Sequence, residues 1–258
     1  MRALALAVAA VQIAVCGCHH DKYPPAFYAA ATGDAAEVTR LVDRGVDPAA
    51  SLDPAGSTML HVAAYYGYVD VVKVLLSRGA PVDALDAYGW SPLFDAALGG
   101  QPEAAAALLA GGAAPDLRDS SGATPLHAAV LGTSAEVVRL LVSRGAPAGV
   151  RGPKGGTPLH WAAARGDTQM VATLVEAGAA LDAAQDDGST PLHRAARLGH
   201  EDAVRQLLGY GADPSLRDAT SHTPSDLAMA AGHEALTAIL AQAEKEAEGR
   251  AGPTSGQS

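Results

Sequence analysis

Cysteine is nearly missing from this chain. Of 258 residues only Cys16 and Cys18 are cysteine, and both lie in the N-terminal segment. The remainder therefore holds neither a disulfide nor a thiol nucleophile, and an oxidising compartment would leave its chemistry unchanged. Aromatic residues are scarce too, with 2 Trp, 7 Tyr and 2 Phe, which excludes a core built around large rings. Abundant Ala and Gly favour close packing of helix on helix instead. Positive charge is also short: 18 Lys and Arg stand against 28 Asp and Glu, a net charge of -10. Only Arg2 is basic in the first 17 residues, so their removal would leave 17 against 28, or -11. Such an acidic surface repels phosphate backbones, so nucleic acid is not an expected partner and anionic membrane surfaces are disfavoured. The 48% hydrophobic content excludes a disordered chain.

The opening "MRALALAVAAVQIAVCGCHH" places one Arg before an apolar run from Ala3 to Val15, broken only by Gln12. That run is too short to span a bilayer but suits the apolar region of a secretion signal. Val15, Cys16 and Gly17 before Cys18 resemble a bacterial lipobox. The resemblance implies cleavage after residue 17, lipidation of Cys18, a tether over 18–25, and attachment to a membrane on the periplasmic side. By resemblance to enterobacterial lipoproteins, His19 rather than Asp after the anchor implies the outer membrane. An ordinary signal peptide is the plainer alternative. Cys-Gly-Cys-His has one residue too few between its cysteines for haem attachment. Cys-x-Cys-His-His could hold a soft metal in an envelope metal-handling protein, but lipidation of Cys18 and loss of Cys16 would abolish that site.

Beyond the tether the chain repeats itself. Thr-Pro-Leu-His stands at 124–127, 157–160 and 190–193, and in altered form as Thr58-Met59-Leu60-His61. The anchors Thr58, Ser91, Thr124, Thr157, Thr190 and Thr223 follow one another at 33 residues, and a degenerate copy begins near Pro24. A fixed period of this length marks stacked supersecondary units. Each copy carries an Asp/Gly-rich stretch, a capped apolar segment, a break, a second apolar segment and a closing Gly such as Gly79, Gly112, Gly145, Gly178 or Gly211. This pattern predicts turn, helix, turn, helix.

"DGSTPLHRAARLGHEDAVRQLLGYGADP" (187–214) resembles the ankyrin repeat, and the likeness extends over about residues 24–242. It implies an all-α ankyrin-repeat solenoid over 26–242 with β-hairpin-like loops, a charged helical extension and disordered tail over 243–258, and use as a protein-binding module. Departures are Thr133 in place of Gly, Phe27 and Phe94 in place of His, and "VRGPKGG" (150–156) without its usual Asp.

The recurring histidine poses the question of chemistry. In Thr-x-x-His the hydroxyl caps the first turn, worth about 1 kcal/mol, and the His at N3 reaches back to the cap. Where Ser91 keeps the hydroxyl, Phe94 replaces the imidazole, so the cap persists without it. Stacked helices lie about 8–10 Å apart, whereas zinc needs nitrogens at about 2 Å. His61, His127, His160 and His193 are accordingly read as scaffold, as are His200 and His233, while His222 is read as solvated. Asp83, Asp86, Asp116, Asp119, Asp186, Asp187, Asp213 and Asp218 mostly fall where tight turns need Asp. No nucleophile elbow, P-loop, His-Glu-x-x-His or dinucleotide fingerprint occurs. No catalytic residue, metal site or cofactor is expected.

By the ankyrin resemblance, partner recognition falls to the variable positions at the loop tips and at the ends of the first helices, which form a concave surface. These hold Tyr65, Tyr66, Tyr88, Trp90, Leu98, Ser120, Ser121, Leu131, Lys154, Arg165, Asp187 and Arg197. Four of the 11 aromatics fall there in two adjacent repeats, the composition that binding hot spots favour. Lys154, Arg165 and Arg197 form a basic strip suited to an acidic segment or to a solvated rim. The expected molecule is a monomeric, exported, lipid-anchored module that binds another protein of unspecified identity, with an enzyme modulator or toxin-immunity protein as the alternative within that class.

Overall fold

The computed structural model describes residues 23–251. The expected signal segment over residues 1–17 and the expected anchor Cys18 lie outside them, as do residues 252–258. Fourteen α-helices and no strand occur among the described residues. They fall into two compact units that meet in sequence between Gly145 and Ala146.

The N-terminal unit holds four helix pairs: α1 (Pro25–Thr32) with α2 (Ala35–Asp43), α3 (Met59–Tyr66) with α4 (Val69–Ser77), α5 (Pro92–Leu98) with α6 (Pro102–Ala110), and α7 (Pro125–Leu131) with α8 (Ala135–Ser143). The first helices α1, α3, α5 and α7 stack on one another, and the second helices form the other layer. The C-terminal unit opens with a 3-10 turn at Pro153–Gly155 and continues with α9 (Pro158–Arg165), α10 (Thr168–Glu176), α11 (Pro191–Arg197), α12 (Glu201–Tyr210), α13 (Pro224–Ala230) and α14 (Glu234–Ala251). Here α9, α11 and α13 stack, α10 packs on α12, and α14 packs on α13.

Local chemistry starts and stops these helices. A hydroxyl residue in extended conformation precedes each first helix from α3 onward, and Pro follows it in all but α3. The proline supplies a helical φ where its missing N–H costs no bond. The Leu two residues after the cap is fully buried in five repeats, as Leu60, Leu93, Leu126, Leu159 and Leu192, each burial worth roughly 1.5–3 kcal/mol. Paired alanines such as Ala63–Ala64 and Ala195–Ala196 are equally buried, and their small size lets neighbouring helices approach closely. Second helices contribute Val71, Val72 and Leu75, or Ala203, Val204 and Leu207, to the core.

The turn after each first helix needs a residue at positive φ. Gly166 and Gly199 serve there, and a methyl group on either would meet the ring of His200 or His233 at 2.7 and 2.6 Å. The two histidines therefore pack closely against glycine. The loops expected to be hairpin-like are turns joined tip to tip by single backbone bonds: the Ala87 N–H donates to the Ala55 carbonyl at 2.8 Å, and that of Ser120 to Tyr88 at 2.9 Å. The charged extension is the end of α14, whose Leu236 and Leu240 are buried.

Candidate protein-binding surfaces

The histidine boxes decide whether the repeated motif carries chemistry. The Nδ1 atoms of His61, His127, His160 and His193 accept the backbone N–H of Thr58, Thr124, Thr157 and Thr190 at 3.2, 3.3, 3.1 and 3.2 Å. An N–H can only donate, so Nδ1 is unprotonated and the proton sits on Nε2. In three of them Nε2 then donates to a carbonyl of the following repeat: Trp90 at 3.0 Å from His61, Ser189 at 3.0 Å from His160, and His222 at 3.1 Å from His193. Each of these three imidazoles is a neutral pin between two repeats. Burial pushes His160 down to about 4, against the Ser189 bond, which raises it, with the charge of Arg194 lowering it further. Burial lowers His193 as well, opposed by its bond to His222.

Where the imidazole is absent, the cap is made differently. The Ser91 hydroxyl accepts the Phe94 amide at 3.2 Å. In the last repeat Asp226 takes the histidine's place: its Oδ2 accepts the Thr223 amide at 2.9 Å, and Thr223 Oγ1 accepts the Asp226 amide at 3.3 Å. The hairpin carboxylates hold loop amides in the same way. Asp86 Oδ1 accepts from Tyr88 and Trp90 at 2.8 and 2.9 Å, and Asp119 Oδ1 from Ser121 and Ala123, both at 2.8 Å. Asp83 reaches the next repeat, accepting from the Ala114 amide at 3.1 Å. Among the described residues no group of three His, Cys, Asp or Glu is arranged to hold a metal ion, and no helix is long and apolar enough to cross a membrane.

The aromatic positions all lie in the N-terminal unit, in two groups. Tyr65 and Tyr66 end α3, their rings edge to face at 5.2 Å, with Tyr68 at 6.1 Å from Tyr66. Tyr88 and Trp90 sit in the following loop at 5.7 Å, and Trp90 stacks on Phe94 at 4.9 Å while its indole N–H donates to Asp119 Oδ2 at 3.2 Å. The rings are less open than a list of surface positions suggests. Tyr88 is 49% exposed, whereas Tyr65, Tyr66 and Trp90 are half-buried because they cover one another or Phe94. Rings held this way lose little freedom when a partner covers the remaining face. Leu98 is half-buried and Leu131 is 42% exposed, each at the end of its helix.

Sequence reasoning missed the register one residue beyond the boxed histidine. That position is buried in the N-terminal unit as Val62, Asp95 and Ala128, and half-buried in the C-terminal unit as Trp161, Arg194 and Leu227. The tell-tale was an acid in "LFDAAL" and an arginine in "LHRAAR", where neighbouring repeats carry apolar residues. Asp95 is fully buried, and the Tyr65 phenol is pushed up by burial first and by the Asp95 charge second. In the C-terminal unit Lys154, Arg165 and Arg197 are all exposed, with Lys154 in the 3-10 turn at a φ of 53°. Arg165 and Arg197 end α9 and α11, which pack side by side.

Three ankyrin-repeat models match the chain. One described as many copies covers residues 26–76 and 60–109, a single-repeat model covers 121–152, and one of three copies covers 137–218 and 185–249. Among solved structures, the human ASB11 ankyrin repeat domain is 30% identical with a TM-score of 0.76, over 84% of this chain and 97% of that one. The ankyrin repeat domain of Bcl-3, described as a member of the IkappaB protein family, is 31% identical with a TM-score of 0.73, over 84% of this chain and 98% of that one. A search of curated proteins finds no match. The chain belongs to the ankyrin-repeat family, whose domains are generally non-catalytic and bind other proteins.

Proposed function

We propose that this ankyrin domain is a non-catalytic binding module of the bacterial envelope, exported and held by a lipid on Cys18 at the periplasmic face of the outer membrane. It acts as a monomer and engages a protein partner through the aromatic face of its N-terminal unit. The observation that carries the reading is the concentration of Tyr65, Tyr66, Tyr88 and Trp90 in two adjacent repeats of a chain with 11 aromatics. Their mutual packing supplies a rigid, largely apolar anchor of the kind that dominates binding energy.

The test is a crosslinked pull-down from envelope fractions with the wild-type chain and a Tyr66→Ala, Trp90→Ala variant of unchanged helical circular dichroism. Loss of about 2 kcal/mol or more at such positions weakens binding roughly thirtyfold, so the partner captured by the wild type should be lost. Retention of the same partner would move the binding face elsewhere. Export is tested separately. Cys18→Ser should abolish labelling by radioactive palmitate and release the chain from the membrane fraction, and unchanged retention would refute the lipid anchor.

A further inference from the structure

We propose that the C-terminal unit carries a second docking surface, formed by Arg165, Arg194 and Arg197 around Trp161, that receives an acidic peptide segment of a partner protein. Trp161 and Arg165 stand four residues apart on α9, hence on one face of that helix, and Arg194 and Arg197 stand three apart on α11 beside it. The repeat register sets Trp161 level with Arg194, and Arg165 level with Leu198. Cations and apolar surface therefore alternate across two packed helices.

The charges of this group are unspent. Arg40, Arg78, Arg151, Arg205 and Arg217 each lie within ion-pair distance of a carboxylate. Among the described residues Arg165, Arg194 and Arg197 have no such partner, in a chain with 28 acidic residues to choose from. Asp187 feels both arginines of α11 without pairing with either, and its Oδ1 already accepts the Ser189 amide at 2.9 Å. Arg194 is the more telling. Its Nε is buried and has no acceptor, and burial first and the charge of Arg197 second hold its guanidinium below the ordinary value. A buried donor without a partner is destabilising, and a carboxylate arriving at the guanidinium's terminal nitrogens would offset the repulsion between the arginines.

The surroundings select peptide over phosphate backbone. Leu198, 46% exposed beside Arg197, and half-buried Trp161 offer apolar contacts that a peptide's side chains can use. The net charge of -10 repels a polyanion of high charge density from a distance. This surface does not rest on the aromatic face of the N-terminal unit, so either can fail alone.

Fluorescence anisotropy of a fluorescein-labelled peptide of repeated Glu-Glu-Leu, titrated with the purified chain at low salt, tests the proposal. The wild type should bind it. Arg194→Gln with Arg197→Gln should weaken binding about tenfold, and Arg197→Gln alone, at an exposed position where folding is not at stake, about threefold. Lys73→Gln, which removes one charge from the N-terminal unit, should change nothing. Absence of binding, an equal loss in Lys73→Gln, or equal competition by a single-stranded oligonucleotide would each overturn the proposal.

Discussion

Thr133 holds a φ of 56°, where glycines stand in the equivalent turns at Gly100, Gly199 and Gly232. A β-branched residue is strained there by about 1–2 kcal/mol, and the exposed side chain has no buried contact to lose. Thr133→Gly should therefore raise stability by about 1 kcal/mol in urea unfolding, net of the extra freedom glycine gives the unfolded chain; an unchanged or lower midpoint would contradict the strain argument. Single residues were unevenly legible in the sequence. The departure at Thr133 stood out because the period defines what belongs there. The burial of Asp95 and the neighbourhood of Arg194 did not, since both depend on which side of a first helix the next repeat covers.

At the scale of the helix pair, the boxed histidine joins elements as well as capping one. The capping half could be read from Thr-x-x-His alone. The Nε2 bond to a carbonyl 29 residues on could not, because it exists only once the stack is formed. This pin responds to acid. Protonation would place a hydrogen on Nδ1 against the threonine N–H, so the neutral form is the folded one. His160 titrates near 4 when folded and near about 6.5 when unfolded. A depressed folded value means the unfolded chain binds more protons between the two. The stabilisation is thus complete above about pH 6.5 and is lost as pH falls towards 4, roughly 3 kcal/mol in all. Urea midpoints at pH 7 and 4.5 should differ accordingly, and His160→Phe, which copies Phe94, should reduce that difference. An identical pH dependence in wild type and variant would contradict the assignment.

Across the whole molecule, the ankyrin architecture was legible because a 33-residue period tolerates many local substitutions while fixing caps, buried leucines and closing glycines. The surfaces were legible only in part. The variable positions could be located from the register, but mutual packing of the rings leaves Tyr88 as the open member of the aromatic group. The two proposed surfaces differ in chemistry: Tyr65, Tyr66, Tyr88 and Trp90 lie in the N-terminal unit, and Arg165, Arg194 and Arg197 lie around Trp161 in the C-terminal one, within an acidic whole.

The central claim is that the aromatic face of the N-terminal unit meets a protein. Its most direct measurement is photo-crosslinking in envelope preparations, with a benzophenone amino acid placed at Tyr88 or, for comparison, at exposed Lys73 on second-layer helix α4. The account predicts a discrete crosslinked product from position 88 and none from position 73. Equal products from both positions, or a product from 73 alone, would contradict it.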